Sequence, residues 1–201
     1  MDNQLNSHLG EIIFGTFFIV IALGAFTVSL IRRDRNARTL FWLGMWSGTY
    51  ALRLIINCPP VNSSFPQWLY ALVPWIDIFA SYFILTFALL TWLDFTRNRL
   101  RRFLMVMLVI SLLIALAGIS EYVITHDNYY FTAGNQFAAA ITLIVLIIVI
   151  CIPSLANRFM LLPQRGIMAL ATLLFAAEAL YTNTARFFHL PAYSETGCIS
   201  V

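Results

Sequence analysis

Long apolar runs separated by short polar clusters dominate the chain. Six of them, over residues 12–31, 39–56, 68–93, 103–119, 137–152 and 167–185, approach the span of a bilayer. A hydrocarbon core of about 30 Å takes about 20 residues of α-helix at about 1.5 Å each. The runs are continuous rather than alternating, which predicts helices and not the strands of a β-barrel. Breakers lie between them. Cys58-Pro59-Pro60-Val61-Asn62-Ser63-Ser64 ends the second run, His126-Asp127-Asn128 and Gly134-Asn135 precede the fifth, and Pro153 and Pro163 bracket the connection to the sixth. The expectation is an all-α fold, a polytopic membrane helix bundle of six transmembrane helices forming a single domain over 1–201. Residues 186–201 are left as an outer tail or the start of a seventh span.

Composition supports lipid as the main solvent. The 201 residues are 61% hydrophobic and 10% charged, whereas a soluble domain carries about 25% charged residues. A soluble enzyme, a coiled coil, a disordered tail and a disulfide-rich module are excluded on these grounds. The twelve basic residues are all arginine. Without lysine, neither a retinal nor a pyridoxal Schiff base can form. Arginine also sets the orientation. Arg32, Arg33, Arg35 and Arg38 fall in one connection, Arg97, Arg99, Arg101 and Arg102 in another, and Arg158 and Arg165 in a third. These connections alternate with ones that hold Arg186 together with Asp2, Glu11, Glu121, Asp127 and Glu195. The arginine side is predicted to be cytoplasmic and the N-terminus outside. The start of the chain does not read as a signal peptide, because Asp2 and Glu11 replace a positive region and the apolar run is too long. Trp42, Trp68, Trp92 and Tyr122, near the ends of runs, fit interfacial belts.

Charge inside an apolar run costs roughly 2.5–3.5 kcal/mol on insertion scales, so each case demands a partner or a purpose. Arg53, Asp77 and Glu178 are such residues, all in the outer half under this orientation. Tyr50, Arg53 and Asn57 share one helix face, as do Asp77 and Ser81, and Glu178, Tyr181 and Thr182. A polar cluster of Arg53, Asp77, Glu178, Tyr50 and Tyr181 is expected, with Arg53 facing Asp77 or Glu178. Two readings stand side by side: snorkelling and packing seals, or a ligand pocket or proton relay open to the outside. Gly44 and Gly48 form a GxxxG spacing that lets another helix approach closely. The expected partner is a helix of the same chain, with a homodimer seam as the alternative.

Other chemistry finds no support. His8, His126 and His189 belong to no metal-binding spacing, and neither a nucleophile elbow nor a glycine-rich phosphate loop occurs. No catalytic residue, metal, cofactor or nucleic-acid partner is assigned. Cys58 and Cys198 are read as small apolar residues that can pair only in an oxidising compartment, and Cys151 falls within the fifth run. Asn62-Ser63-Ser64 matches a glycosylation sequon, of consequence only in a eukaryotic secretory route.

The phrase Leu43-Gly44-Met45-Trp46-Ser47-Gly48-Thr49-Tyr50-Ala51-Leu52-Arg53-Leu54-Ile55 follows a first run with Gly24-Ala25 and an arginine-rich turn. Together with Asn183, Arg186, Pro191, Glu195 and Gly197 near the end, it resembles the N-terminal membrane sensor region of multi-span bacterial signalling proteins. In that group seven helices precede a cytoplasmic output module, which is a metal-dependent serine phosphatase, a histidine kinase or a nucleotide cyclase. The resemblance covers essentially the whole chain, but the seventh helix and the output module are not in it. It implies a sensory and signal-transduction domain in the bacterial inner membrane, with the lipid bilayer and a cytoplasmic signalling partner or output module as its partners. Any catalysis would reside in that module. The alternative is a small-molecule or ion transporter or channel subunit, motivated by the same three charges.

Overall fold

The computed structural model describes residues 2–32, 35–62, 64–126 and 129–159. Their regular elements are α-helices joined by short turns, with no β-strand element among the described residues. In chain order the helices are α1 (Asp2–Ile31), α2 (Arg35–Ile56), α3 (Pro59–Asn62), α4 (Gln67–Tyr70), α5 (Val73–Phe95), α6 (Asn98–Thr125), α7 (Tyr129–Cys151) and α8 (Pro153–Phe159). Four of them contain segments long and apolar enough to cross a membrane: Ile12–Ile31, Val73–Phe95, Asn98–Thr125 and Tyr129–Cys151. The chain is a helical membrane protein on that ground. The second run is a helix of spanning length, but the polar residues of α2 keep it less apolar than those four. The sixth run lies outside the described residues.

The chain divides into two compact units at Thr91/Trp92. In the first, α1 and α2 form a closely packed hairpin. Small residues line the seam. A Cβ added at Gly44 would lie 3.1 Å from the Phe26 ring and 3.3 Å from the Ala22 carbonyl oxygen, and one at Gly48 would lie 3.5 Å from the Ala22 Cβ. Two turns nearer the other end, a Cβ at Gly15 would meet the Ile55 side chain at 2.9 Å. Across the connection the Ser29 hydroxyl donates to the Ala37 carbonyl at 2.8 Å. In lipid the hydrophobic effect gives helices no reason to associate, so close backbone approach through small residues supplies the contact instead.

The link from α2 to α5 is partly helical. Pro59 and Pro60 open α3, where a missing N–H is harmless. Pro66 precedes α4 in an extended conformation. The third apolar run was expected to continue from Trp68. Instead Trp68 sits exposed on α4, Ala71 and Leu72 turn, and α5 starts at Val73. Pro74 explains the start, since the first turn is where a helix accepts proline. Half of the spanning window of α5 is buried (50%), against 17% in α1 and 28% in α6 and α7. Ala80, Tyr82 and Leu89 have no exposed surface.

In the second unit α6 and α7 pair antiparallel. His126 closes α6 in the left-handed conformation, and its N–H donates to the Tyr122 carbonyl at 3.0 Å. Leu100, Leu104, Met107, Ser111, Ala115 and Gly118 make the buried stripe of α6, and Asn135, Ala138, Thr142, Leu146 and Val149 that of α7. Gly134-Asn135, expected as a turn, lies inside α7. Asn135 belongs to the buried stripe, so two residues that read as breakers in water serve packing here. The outward faces are large and apolar: Met105, Val106, Val109, Leu113 and Leu116 on α6, Phe137, Ile144 and Ile148 on α7.

Hydroxyls within these helices bond their own backbone. Thr16, Thr27, Thr49, Thr91, Ser120 and Thr142 each donate to the carbonyl four residues earlier, at 2.6–2.9 Å. Hydrocarbon offers no water partner, so a polar group stays within the helix it belongs to.

Candidate functional site

The polar group with a defined geometry in the first unit joins the end of α2 to the start of α5. Arg53 lies in the last turn of α2, and Asn57 follows directly after that helix. Asp77 lies in the second turn of α5. The Asn57 amide nitrogen donates to Asp77 Oδ1 at 2.8 Å, and Arg53 Nε stands 3.5 Å from the same oxygen. The shorter contact is a full hydrogen bond, whereas the arginine acts mainly through charge at that distance. Each charge matches its helix end. A cation in the last turn of α2 is favoured by about 0.3–1 kcal/mol, whereas Asp77, already in the second turn of α5, gains less.

Depth follows from the helix bounds. Asp77 is four residues inside α5 and Arg53 three inside α2, about 6 Å and about 5 Å from their ends. Their side chains keep 36% and 21% of their surface exposed. The pair therefore sits at the rim of the helices, one turn in. Counted from Trp68, where the apolar run begins, Asp77 is nine residues in; the start of α5 at Val73 leaves it four. With that exposure the ion pair contributes about 0.2–1 kcal/mol.

Of the expected polar cluster, Arg53 and Asp77 are brought together and Asn57 joins them. Tyr50, on the same face of α2 by spacing, sets its ring edge-on against Phe18 of α1 at a centroid distance of 4.9 Å. Glu178 and Tyr181 lie outside the described residues, and with them the Arg53–Glu178 alternative. Gly44 and Gly48 face α1. What sequence reasoning missed is the matching surface on α1, formed by Gly15, Ala22 and Ser29. Their spacing of seven residues, two helical turns, was the available signal.

Cys58 is buried after α2, and Cys151 is exposed at the end of α7. Among the described residues no three His, Cys, Asp or Glu side chains group as a metal site would require. The chemistry available at the rim is thus that of a separable ion pair held by a neutral amide. In comparisons with protein-family models, curated proteins and solved structures, nothing matches this chain.

Proposed function

We propose that the chain is an integral membrane sensory domain of the bacterial inner membrane. It has six spans, with its N-terminus outside and its arginine-rich connections in the cytoplasm. It relays an external or membrane stimulus to a cytoplasmic output module or partner, in which any catalysis would reside. The observation that carries this reading is the Arg53–Asn57–Asp77 group. It lies at one end of α2, whose other end bears Arg35 and Arg38. A helix of 22 residues is about 33 Å long, enough to connect one membrane face to the other. An exposed ion pair worth about 1 kcal/mol changes a two-state population by about fivefold when broken. A stimulus that separates Asp77 from Arg53 would free α2, and with it α1, to shift against the rest.

A transporter or channel subunit is the second reading. Midplane charges are what transport sites use. Within the four candidate spans, the charged residues (Asp77, Asp94, Arg99, Arg101, Arg102 and Glu121) all fall within five residues of a helix end, which favours the first.

The test has two arms. Reporter fusions should place the N-terminus outside and residues 36 and 98 in the cytoplasm; a cytoplasmic N-terminus removes the proposal. Proteoliposomes carrying the whole chain should show no proton- or solute-coupled flux. Flux that disappears in Asp77→Asn would replace sensing by transport.

A further inference from the structure

The start of α6 carries a concentration of positive charge that neither the Arg53–Asp77 group nor the α1–α2 seam uses. Arg97 precedes the helix in an extended conformation and gives it no side-chain cap. Its guanidinium Nη2 donates instead to the Asn157 carbonyl in α8 at 2.6 Å, tying the start of α6 to the helix that follows α7. Arg99, Arg101 and Arg102 follow in the first turns, and all three are exposed. No acidic residue occupies the first turn. Cations at a helix N-terminus oppose the macrodipole and one another, so this placement is unfavourable for the isolated chain.

The three arginines do not stand on an isolated polar face. Leu100, Leu104 and Met107 take the buried side of α6; Arg102 lies opposite them among the large exposed residues, with Arg99 and Arg101 on its two flanks. Arg101 is four residues before Met105. Arg102 is four before Val106, seven before Val109 and eleven before Leu113. Arg99 is seven before Val106 and eleven before Ile110. Each of these apolar side chains is exposed, and each interval returns a helix to nearly the same azimuth. From Arg102 to Leu113 the helix rises about 16 Å, half of a hydrocarbon core of about 30 Å. The exposed side of α6 therefore offers, in order, Arg102 flanked by Arg99 and Arg101, whose long side chains can reach toward it, and an apolar strip one leaflet long.

We propose that this face of α6 is a binding surface for an anionic phospholipid. The phosphate sits among Arg99, Arg101 and Arg102, and an acyl chain lies along Met105, Val106, Val109 and Leu113. Guanidinium groups match phosphate oxygens in pairs, and the negative charge offsets both the mutual repulsion and the opposed dipole. The proposal rests on the membrane reading of the chain and is independent of whether it senses or transports.

The test is native mass spectrometry of the whole chain, released from detergent after equilibration with equal amounts of phosphatidylglycerol and phosphatidylcholine. Phosphatidylglycerol should be retained in preference by at least about fivefold, the contribution of one arginine near an anionic surface. Replacing Arg99, Arg101 and Arg102 together by Gln should bring retention to parity, while replacing them together by Lys should keep most of the preference. The same change at Arg32, at the end of α1, should leave it intact. Millimolar inorganic phosphate should fail to displace the lipid, because it lacks the chain. Equal retention of both lipids by the wild type, undiminished preference in the glutamine variant, or displacement by phosphate each overturns the proposal. Should the glutamine variant not fold, the wild type decides alone. Its preference must fall as salt shortens the screening length to about 3 Å, and a salt-independent preference refutes the arginine surface.

Discussion

Two glycines of this chain respond in opposite ways to the same added methyl group. At Gly44 a Cβ must push aside the Phe26 ring at 3.1 Å and stands 3.3 Å from a carbonyl oxygen that cannot move independently. Gly44→Ala is expected to destabilise the protein by about 1–3 kcal/mol, the usual cost of overpacking. At Gly134 the nearest atom is the tip of Ile114 at 3.9 Å, an ordinary contact. Gly134→Ala should therefore leave stability unchanged or raise it by up to about 1 kcal/mol through helix propensity. Thermal unfolding of both variants in one detergent checks the pair, and a destabilised Gly134→Ala would show that α7 needs its glycine for something other than packing. At the rim, Asp77→Asn removes the charge that Arg53 faces but keeps a side chain that Asn57 can bond. Its expected cost is under about 1 kcal/mol. A loss of several kcal/mol would make the group a structural keystone rather than a separable contact.

At the scale of elements, hydroxyls that bond their own helix should be dispensable to packing between helices. Thr142 lies in the buried stripe of α7, yet its hydroxyl donates to Ala138 four residues back at 2.8 Å. Thr142→Val keeps the shape and is expected to shift stability by less than about 1 kcal/mol. Measuring unfolding in mixed detergent micelles tests this, and a large loss would reveal that Thr142 also serves a neighbouring helix. The α1–α2 seam predicts the reverse at Gly15. Gly15→Val would drive two methyl groups into Ile55, which a single Cβ already approaches to 2.9 Å. This variant should lower the yield of monodisperse protein and its unfolding temperature, whereas the same change at Gly24, which has nothing within 4 Å, should not. Equal effects at the two positions would place the hairpin seam elsewhere.

For the whole molecule, solvent is the deciding quantity. Ile13, Phe14, Phe17, Val20 and Leu23 on α1 are exposed together, as are the outward faces of α6 and α7. Apolar surface of that extent in water marks an aggregate or an interface, and in lipid it marks a protein at rest. The chain should therefore stay with the membrane fraction through alkaline extraction and need detergent for release; recovery as a monodisperse species in plain buffer would contradict it. The sensory reading belongs to this scale as well, since it requires a weak rim contact to bias a helix that reaches from one face to the other.

Helix type and most helix positions were legible in the residues alone, because run length and continuity answer directly to bilayer thickness. The Arg53–Asp77 pairing was also within reach, since so few charges interrupt the apolar runs that few partners compete. Helix ends were less legible. Gly134-Asn135 reads as a turn by rules learned in water, and Trp68 reads as part of a span because apolarity alone does not mark where a helix starts. Only the folded chain decided which small residues face a neighbour, how near the rim Asp77 lies and which face of α6 is left to lipid. The physical reason is that these depend on azimuth and contact between segments far apart in sequence, whereas hydrophobicity along the chain records only the medium in which each segment sits.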